Sequence, residues 1–199
     1  FTQPHSHSTM NEKISLQANQ SGAVFVTGLV FLMALSLLGI TAMKMATIEE
    51  RMSGNMRDRM LAMQAGEMAL RYAEHHIRDN DDTTNTPKSI EGITDFDTGC
   101  TDGLCYYGVN TEPTTPAWKT LCSPTCPISY TKDNVFKIDG VTYTAPELPK
   151  GLIRPPTYLI EGIQKTPAGG FLRYYYRVTV RAEGAKDGTV VWLQETFRP

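Results

Sequence analysis

Four cysteines, Cys100, Cys105, Cys122 and Cys126, are the only residues in this 199-residue chain whose type and spacing suggest covalent or metal chemistry. The first two lie in GCTDGLCYY and the second two in LCSPTC. An even number of clustered cysteines fits a disulfide framework in an oxidising compartment. Three pairings are open. The local ones, Cys100 with Cys105 and Cys122 with Cys126, are favoured, because Asp102-Gly103 and Pro124 supply turns that let short loops close. A four-thiolate zinc site is the rival; its spacings suit a finger, but no compact zinc-ribbon pattern surrounds them. No Cys-x-x-Cys redox pair occurs, so thiol chemistry is not expected.

Other chemistry finds little material. The chain has no Gly-x-Ser-x-Gly, no phosphate-binding glycine loop and no His-Glu-x-x-His. Its histidines are His5, His7, His75 and His76, and the adjacent pair on a helix would point in different directions. Glu161 and Glu195 fall in expected strands with no visible acid–base partner, so cross-strand or surface roles are expected. The run Asp79 to Asp82 lacks the spacing of a calcium loop and reads as a helix-ending turn. Arg173, Arg177 and Arg181, with Tyr175 among them, make a basic aromatic strand face of the kind single-stranded nucleic acid uses. With a net charge of −2 the chain is not basic, so a solvated sheet face is expected and nucleic acid is not expected as a partner. No enzymatic activity, metal or cofactor is predicted.

The elements explain more than the isolated side chains. From Ala23 to Met43 no residue is charged, and Gly22 and Lys44 bound the stretch. As a helix at 1.5 Å per residue it spans about 30 Å, the thickness of a bilayer core. Before it lies a leader over residues 1–22, with Met10 its expected start, which has no apolar core of its own and so does not resemble an ordinary secretory signal. Beyond it, over residues 44–79, Met45, Ile48, Met52, Met56, Met60, Met63, Leu70 and Ile77 recur at helical spacing. Alanines at 62, 65, 69 and 73 favour helix. The methionine row is expected to pack on the protein's own sheet and on neighbouring helices.

Residues 80–156 are Thr-, Pro- and Asp-rich and read as irregular, with short apolar pieces at Tyr106–Val109, Ile128–Tyr130 and Val135–Tyr143. Asp139-Gly140 marks a hairpin in the last of these. Residues 157–199 become regular: Thr157–Gln164, Phe171–Glu183 and Thr189–Arg198 alternate as strands. They predict an antiparallel sheet with one face solvated and the other packed on a helix. The fold class is α+β: a long N-terminal helix, a cysteine-bearing loop region and a C-terminal sheet.

This order resembles the type IV pilin superfamily. More narrowly, QSGAVFVTGLVFLMALSLLGITAMKMATIEERMSGNMRDRMLAMQAGEMALRYAE is similar to the N-terminal region of PilX-type minor pilins, and GCTDGLCYY with the closing strands is similar too. The resemblance implies cleavage by prepilin peptidase between Gly22 and Ala23, N-methylation of Ala23, storage in the inner membrane with a periplasmic domain, and later residence in a surface pilus. Its implied partners are membrane lipid, the major pilin and other minor pilins through the N-terminal helix, and a tip adhesin. The superfamily carries Glu at the fifth mature position, and here that position is Thr27. That departure suggests a place in the initiating or tip complex. A pseudopilin of a type II secretion system, or a single-pass membrane-anchored periplasmic domain, would share the anchor.

Overall fold

A row of small residues decides which face of the long helix meets the sheet. The protein, seen here as a computed structural model, is described over residues 21–79, 90 and 92–198. Of the leader expected over residues 1–22, residues 1–20, His5 and His7 included, lie outside them. The described chain divides into two units, one ending at Arg51 and one starting at Met52.

Helix α1 runs Ser21–Arg78. In the first unit its side chains from Val24 to Met43 are exposed. The polar ones are satisfied within the helix: Thr27 Oγ1 donates to the Ala23 and Val24 carbonyls, both at 3.0 Å. Ser36 donates to Leu32 at 2.7 Å and Thr41 to Leu38 at 2.8 Å. An apolar helix whose hydroxyls are bonded internally leaves no polar group to be stranded in hydrocarbon.

In the second unit the sheet order is β1-β5-β6-β7, with β2 also on β5. The strands are β1 Leu104–Val109, β2 Ile128–Ser129, β5 Thr157–Lys165, β6 Arg173–Glu183 and β7 Val190–Phe197. Strands β5, β6 and β7 pair antiparallel, as the alternation predicts. The loop region then extends this sheet: β1 joins β5 in parallel and β2 joins it antiparallel. A separate hairpin, β3 Val135–Ile138 with β4 Val141–Thr144, turns at Asp139 and Gly140, both with positive φ (50° and 80°), as a two-residue hairpin turn requires. A short helix, α2 Ala117–Leu121, carries Trp118.

The helix-facing side of the sheet presents Tyr158, Ile160, Tyr176, Val178 and Val180 to Ala69, Tyr72, Ala73 and Ile77. Here the expectation that the methionine row packs on the protein's own sheet needs correcting. Met45, Ile48, Met52, Met56, Met60 and Met63 are all exposed, and only Leu70 and Ile77 of that series turn inward. The buried row is instead Asp58, Ala62, Ala65, Gly66, Ala69, Tyr72, Ala73, His76 and Ile77. Small side chains let the helix axis approach the strands. At Gly66 a β-carbon would sit 2.8 Å from Leu193 Cδ1, so the contact is already closed by backbone and leucine. Tyr72 then fills the wider end, with ring centroids 4.7 Å from Tyr130, 4.8 Å from Phe136 and 5.9 Å from Tyr158.

The two polar members of the row sit near its ends. His76 Nδ1 lies 3.0 Å from the hydroxyl of Tyr158, both buried. Asp58, only 5% exposed, accepts the Ala185 N–H at 2.5 Å and so ties the helix to the β6–β7 turn. A hydrogen bond from the Thr189 side chain, with backbone bonds from Ala185 and Lys186, holds its carboxyl below the usual value against the opposing effect of burial.

Two outcomes test this seam on the detergent-solubilised chain. Ala69→Leu should destabilise by about 1–3 kcal/mol through overpacking, while Met60→Ala should stay within about 0.5 kcal/mol, by thermal melting. Equal losses would return the methionine row to the core. Because the Asp58 carboxyl has a lowered folded-state pKa, its stabilisation is present above its unfolded value of 3.8 and disappears as pH falls through the folded one. Asp58→Asn should therefore flatten the acid limb of a stability–pH curve; an unchanged limb would contradict that role.

Candidate functional site

The sheet's other face carries the cysteines, which cover its β1–β5 part, while the outward residues of β7, Val190, Trp192, Gln194 and Thr196, stay exposed as a solvated face requires. Cys100 is bonded to Cys105 and Cys122 to Cys126, so zinc ligation gives way to the local disulfides. All four half-cystines are buried against Leu159, Ala117, Tyr107 and Trp118. Thr157 Oγ1 accepts the Cys126 N–H at 3.0 Å, which stitches the second loop to β5. The sheet is thus covered by α1 on one side and, over β5, by the cystine loops on the other. Sequence alternation gave no warning of the second cover, because outward residues such as Arg177 and Thr179 are polar.

Those polar residues are spent inside the fold. Glu161, 1% exposed, receives two hydrogen bonds across the β5–β6 pair, from Arg177 Nε at 2.8 Å and Nη2 at 2.9 Å. Gln194 donates to Thr179 at 2.9 Å. Arg181 pairs with Glu183, which also binds Arg154 at 3.0 Å. Of the arginines singled out on this strand, two therefore already hold carboxylates, which leaves little of a cationic stripe. The carboxylates Glu161 and Glu195 are not brought together: Glu161 faces the cystine layer, and Glu195 lies opposite Val178 on the helix-facing side. Burial, followed by the neighbouring Glu74 carboxyl, raises the Glu195 carboxyl.

The remaining titratable groups are framework. Burial pushes the Tyr158 phenol well up and that of Tyr130 to about 12, so both stay neutral; the Tyr130 hydroxyl donates to the Pro146 carbonyl at 2.7 Å. His75 stacks on Tyr143 with centroids 4.7 Å apart, and burial lowers its imidazole. Asp79 accepts the Lys137 N–H at 2.8 Å and so anchors the β3–β4 hairpin; the rest of the acidic run, residues 80–82, lies outside the described residues.

What is left for function is surface. Gly22, Ala23 and Thr27 occupy the first turns of α1, exposed. From Met52 to Met63 a bulky apolar row stays open on the face turned away from the alanines. This α1 is also, among the described residues, the helix long and apolar enough to cross a membrane.

Comparison with protein families agrees at both ends of the chain. A model described as PilX N-terminal matches residues 21–71, and one described as type IV pilus assembly protein PilX C-term matches residues 101–199. The chain belongs to the PilX family of type IV pilus minor pilins. No curated protein and no solved structure matches it. PilX pilins are structural assembly proteins, and the apolar α1 fits a single-pass inner-membrane protein that becomes a pilus component.

For this PilX pilin the buried Glu161–Arg177 pair gives a direct prediction. Removing the carboxylate with Glu161→Gln leaves a mostly buried guanidinium uncompensated and should cost about 3 kcal/mol. Removing either disulfide with paired serines should cost about 2 kcal/mol, the loop-closure value for so short a ring. Chemical denaturation of the solubilised chain measures both; losses under about 0.5 kcal/mol would mean that the outer layer is dispensable.

Proposed function

We propose that this minor pilin acts at the initiating or tip end of the type IV pilus, by helix packing and not by catalysis. Prepilin peptidase would cut between Gly22 and Ala23, and the unit beyond Lys44 would stand on the periplasmic side until extraction. On extraction the apolar half of α1 exchanges lipid for the helices of the major pilin and other minor pilins. The sheet unit then faces a tip adhesin.

One observation carries the tip assignment. In the pilin superfamily a carboxylate at the fifth mature position can neutralise the amine of a neighbouring subunit, and a buried, unpaired ammonium is costly. At that position this chain has Thr27, whose hydroxyl already donates to the carbonyls of Ala23 and Val24 in its own helix. It therefore offers a neighbour no negative charge. A subunit that cannot neutralise a neighbour's amine suits the position where that partnership is missing.

N-terminal sequencing of the protein made with and without the peptidase tests the processing: Ala23 should lead only when the enzyme is present. Thr27→Glu should raise the protein's abundance in sheared pili severalfold. An unprocessed chain in pili, or wild-type protein equimolar with the major pilin along the shaft, would overturn the assignment.

A further inference from the structure

The cystine layer holds a cavity of its own. It has a volume of 330 Å³ and is lined by Trp118, Lys119, Ser123, Arg181, Val190 and Trp192, beside the Cys122–Cys126 loop. Trp118 comes from α2 and Trp192 from β7, so two distant segments bring together the chain's two tryptophans. Their rings lie 5.4 Å apart at an interplanar angle of 52°. Each is paired with a cation: Lys119 Nζ stands 5.6 Å from the Trp118 centroid, and Arg181 Cζ stands 5.8 Å from that of Trp192. Trp192 remains 42% exposed.

We infer that this cavity binds an acidic sugar residue, a pyranose carrying one carboxylate. Its volume matches a single ring at the small end of ligand pockets, which run from about 300 Å³ upward. At this separation the two indoles touch one another, and their exposed parts form one continuous apolar wall. A puckered pyranose can lay apolar C–H edges along that wall. Charge selects the same class. Arg181 is already shared with Glu183, while Lys119 has no carboxylate partner among the described residues. One ammonium without a carboxylate suits one carboxylate; a polyanionic strand would need a continuous basic track. Ser123 adds a hydroxyl at the rim. The walls are held before any ligand arrives, by β7 on one side and by the disulfide-closed loop after α2 on the other, which lowers the ordering cost of binding. This site stands apart from the assembly reading and does not depend on it.

The experiment needs no label, because both tryptophans of the chain line the cavity. Full-length protein in detergent is titrated with methyl β-glucuronide, methyl β-glucoside and a short oligothymidylate while indole emission is followed. The expected result is a saturable change with the glucuronide at low-millimolar concentration, and at least about fivefold weaker binding of the neutral glucoside. Lys119→Gln, a surface change, should weaken the glucuronide about tenfold and leave the melting temperature unmoved. Trp192→Phe, checked for an unchanged melt, should weaken both sugars. No saturable response to the glucuronide, equal binding of the two sugars, tighter binding of the oligothymidylate, or an unaltered Lys119→Gln titration would each overturn the inference.

Discussion

Close approach of one helix face to one sheet face is the constraint from which the rest of the second unit follows. Ala62, Ala65, Gly66, Ala69 and Ala73 have almost no side chain to place between helix and strand. The inward residues of β5, β6 and β7 therefore meet the α1 backbone nearly directly, and Leu193 closes on Gly66. Two polar ends fix the register of this contact, Asp58 on the β6–β7 turn and His76 on Tyr158. A helix so fitted on one side must show its bulk on the other. The exposed methionines follow from the alanines.

The opposite side of the sheet is built on another principle. Its residues are too polar to form an oily layer, so covalent closure and charge pairing replace apolar burial. Two short cystine rings press on Leu159, and Glu161 and Arg177 neutralise each other across β5 and β6. A small domain with a modest core gains from such local staples. The same layer brings Trp118 beside Trp192, so the device that covers the sheet also shapes the cavity on which the sugar proposal rests.

Much of this was legible in the sequence, and the failures have physical reasons. The uncharged stretch, the long helix, the Asp139-Gly140 turn and the three C-terminal strands all come from short-range patterns, and each appears within a residue or two of its expected bounds. Local cystine pairing was legible too, because a four- or five-residue separation with a turn inside leaves little else to form. The buried helix face was missed because hydrophobic periodicity weights large side chains. The informative series ran through small ones, and the Asp58–Ala62–Ala65–Ala69–Tyr72–His76 spacing of threes and fours was there to be read. The covered part of the outer face was missed for a deeper reason. Arg177 holds Glu161 directly across the β5–β6 pair, but whether that pair faces water or a cystine loop depends on where segments far earlier in the chain come to rest, and alternation along one strand carries no such information.

The expectation that the methionine row packs on neighbouring pilin helices rests on the alanine seam, which leaves that row exposed. The most direct measurement places a photocrosslinking residue at Met52, Met56 or Met60, and separately at Ala65 or Ala69, in cells that are assembling pili. The account predicts adducts with other pilins from the methionine positions, and only internal adducts, or an unstable protein, from the alanine positions. Adducts between chains from Ala65 or Ala69, with the methionines joined only to their own sheet, would contradict it.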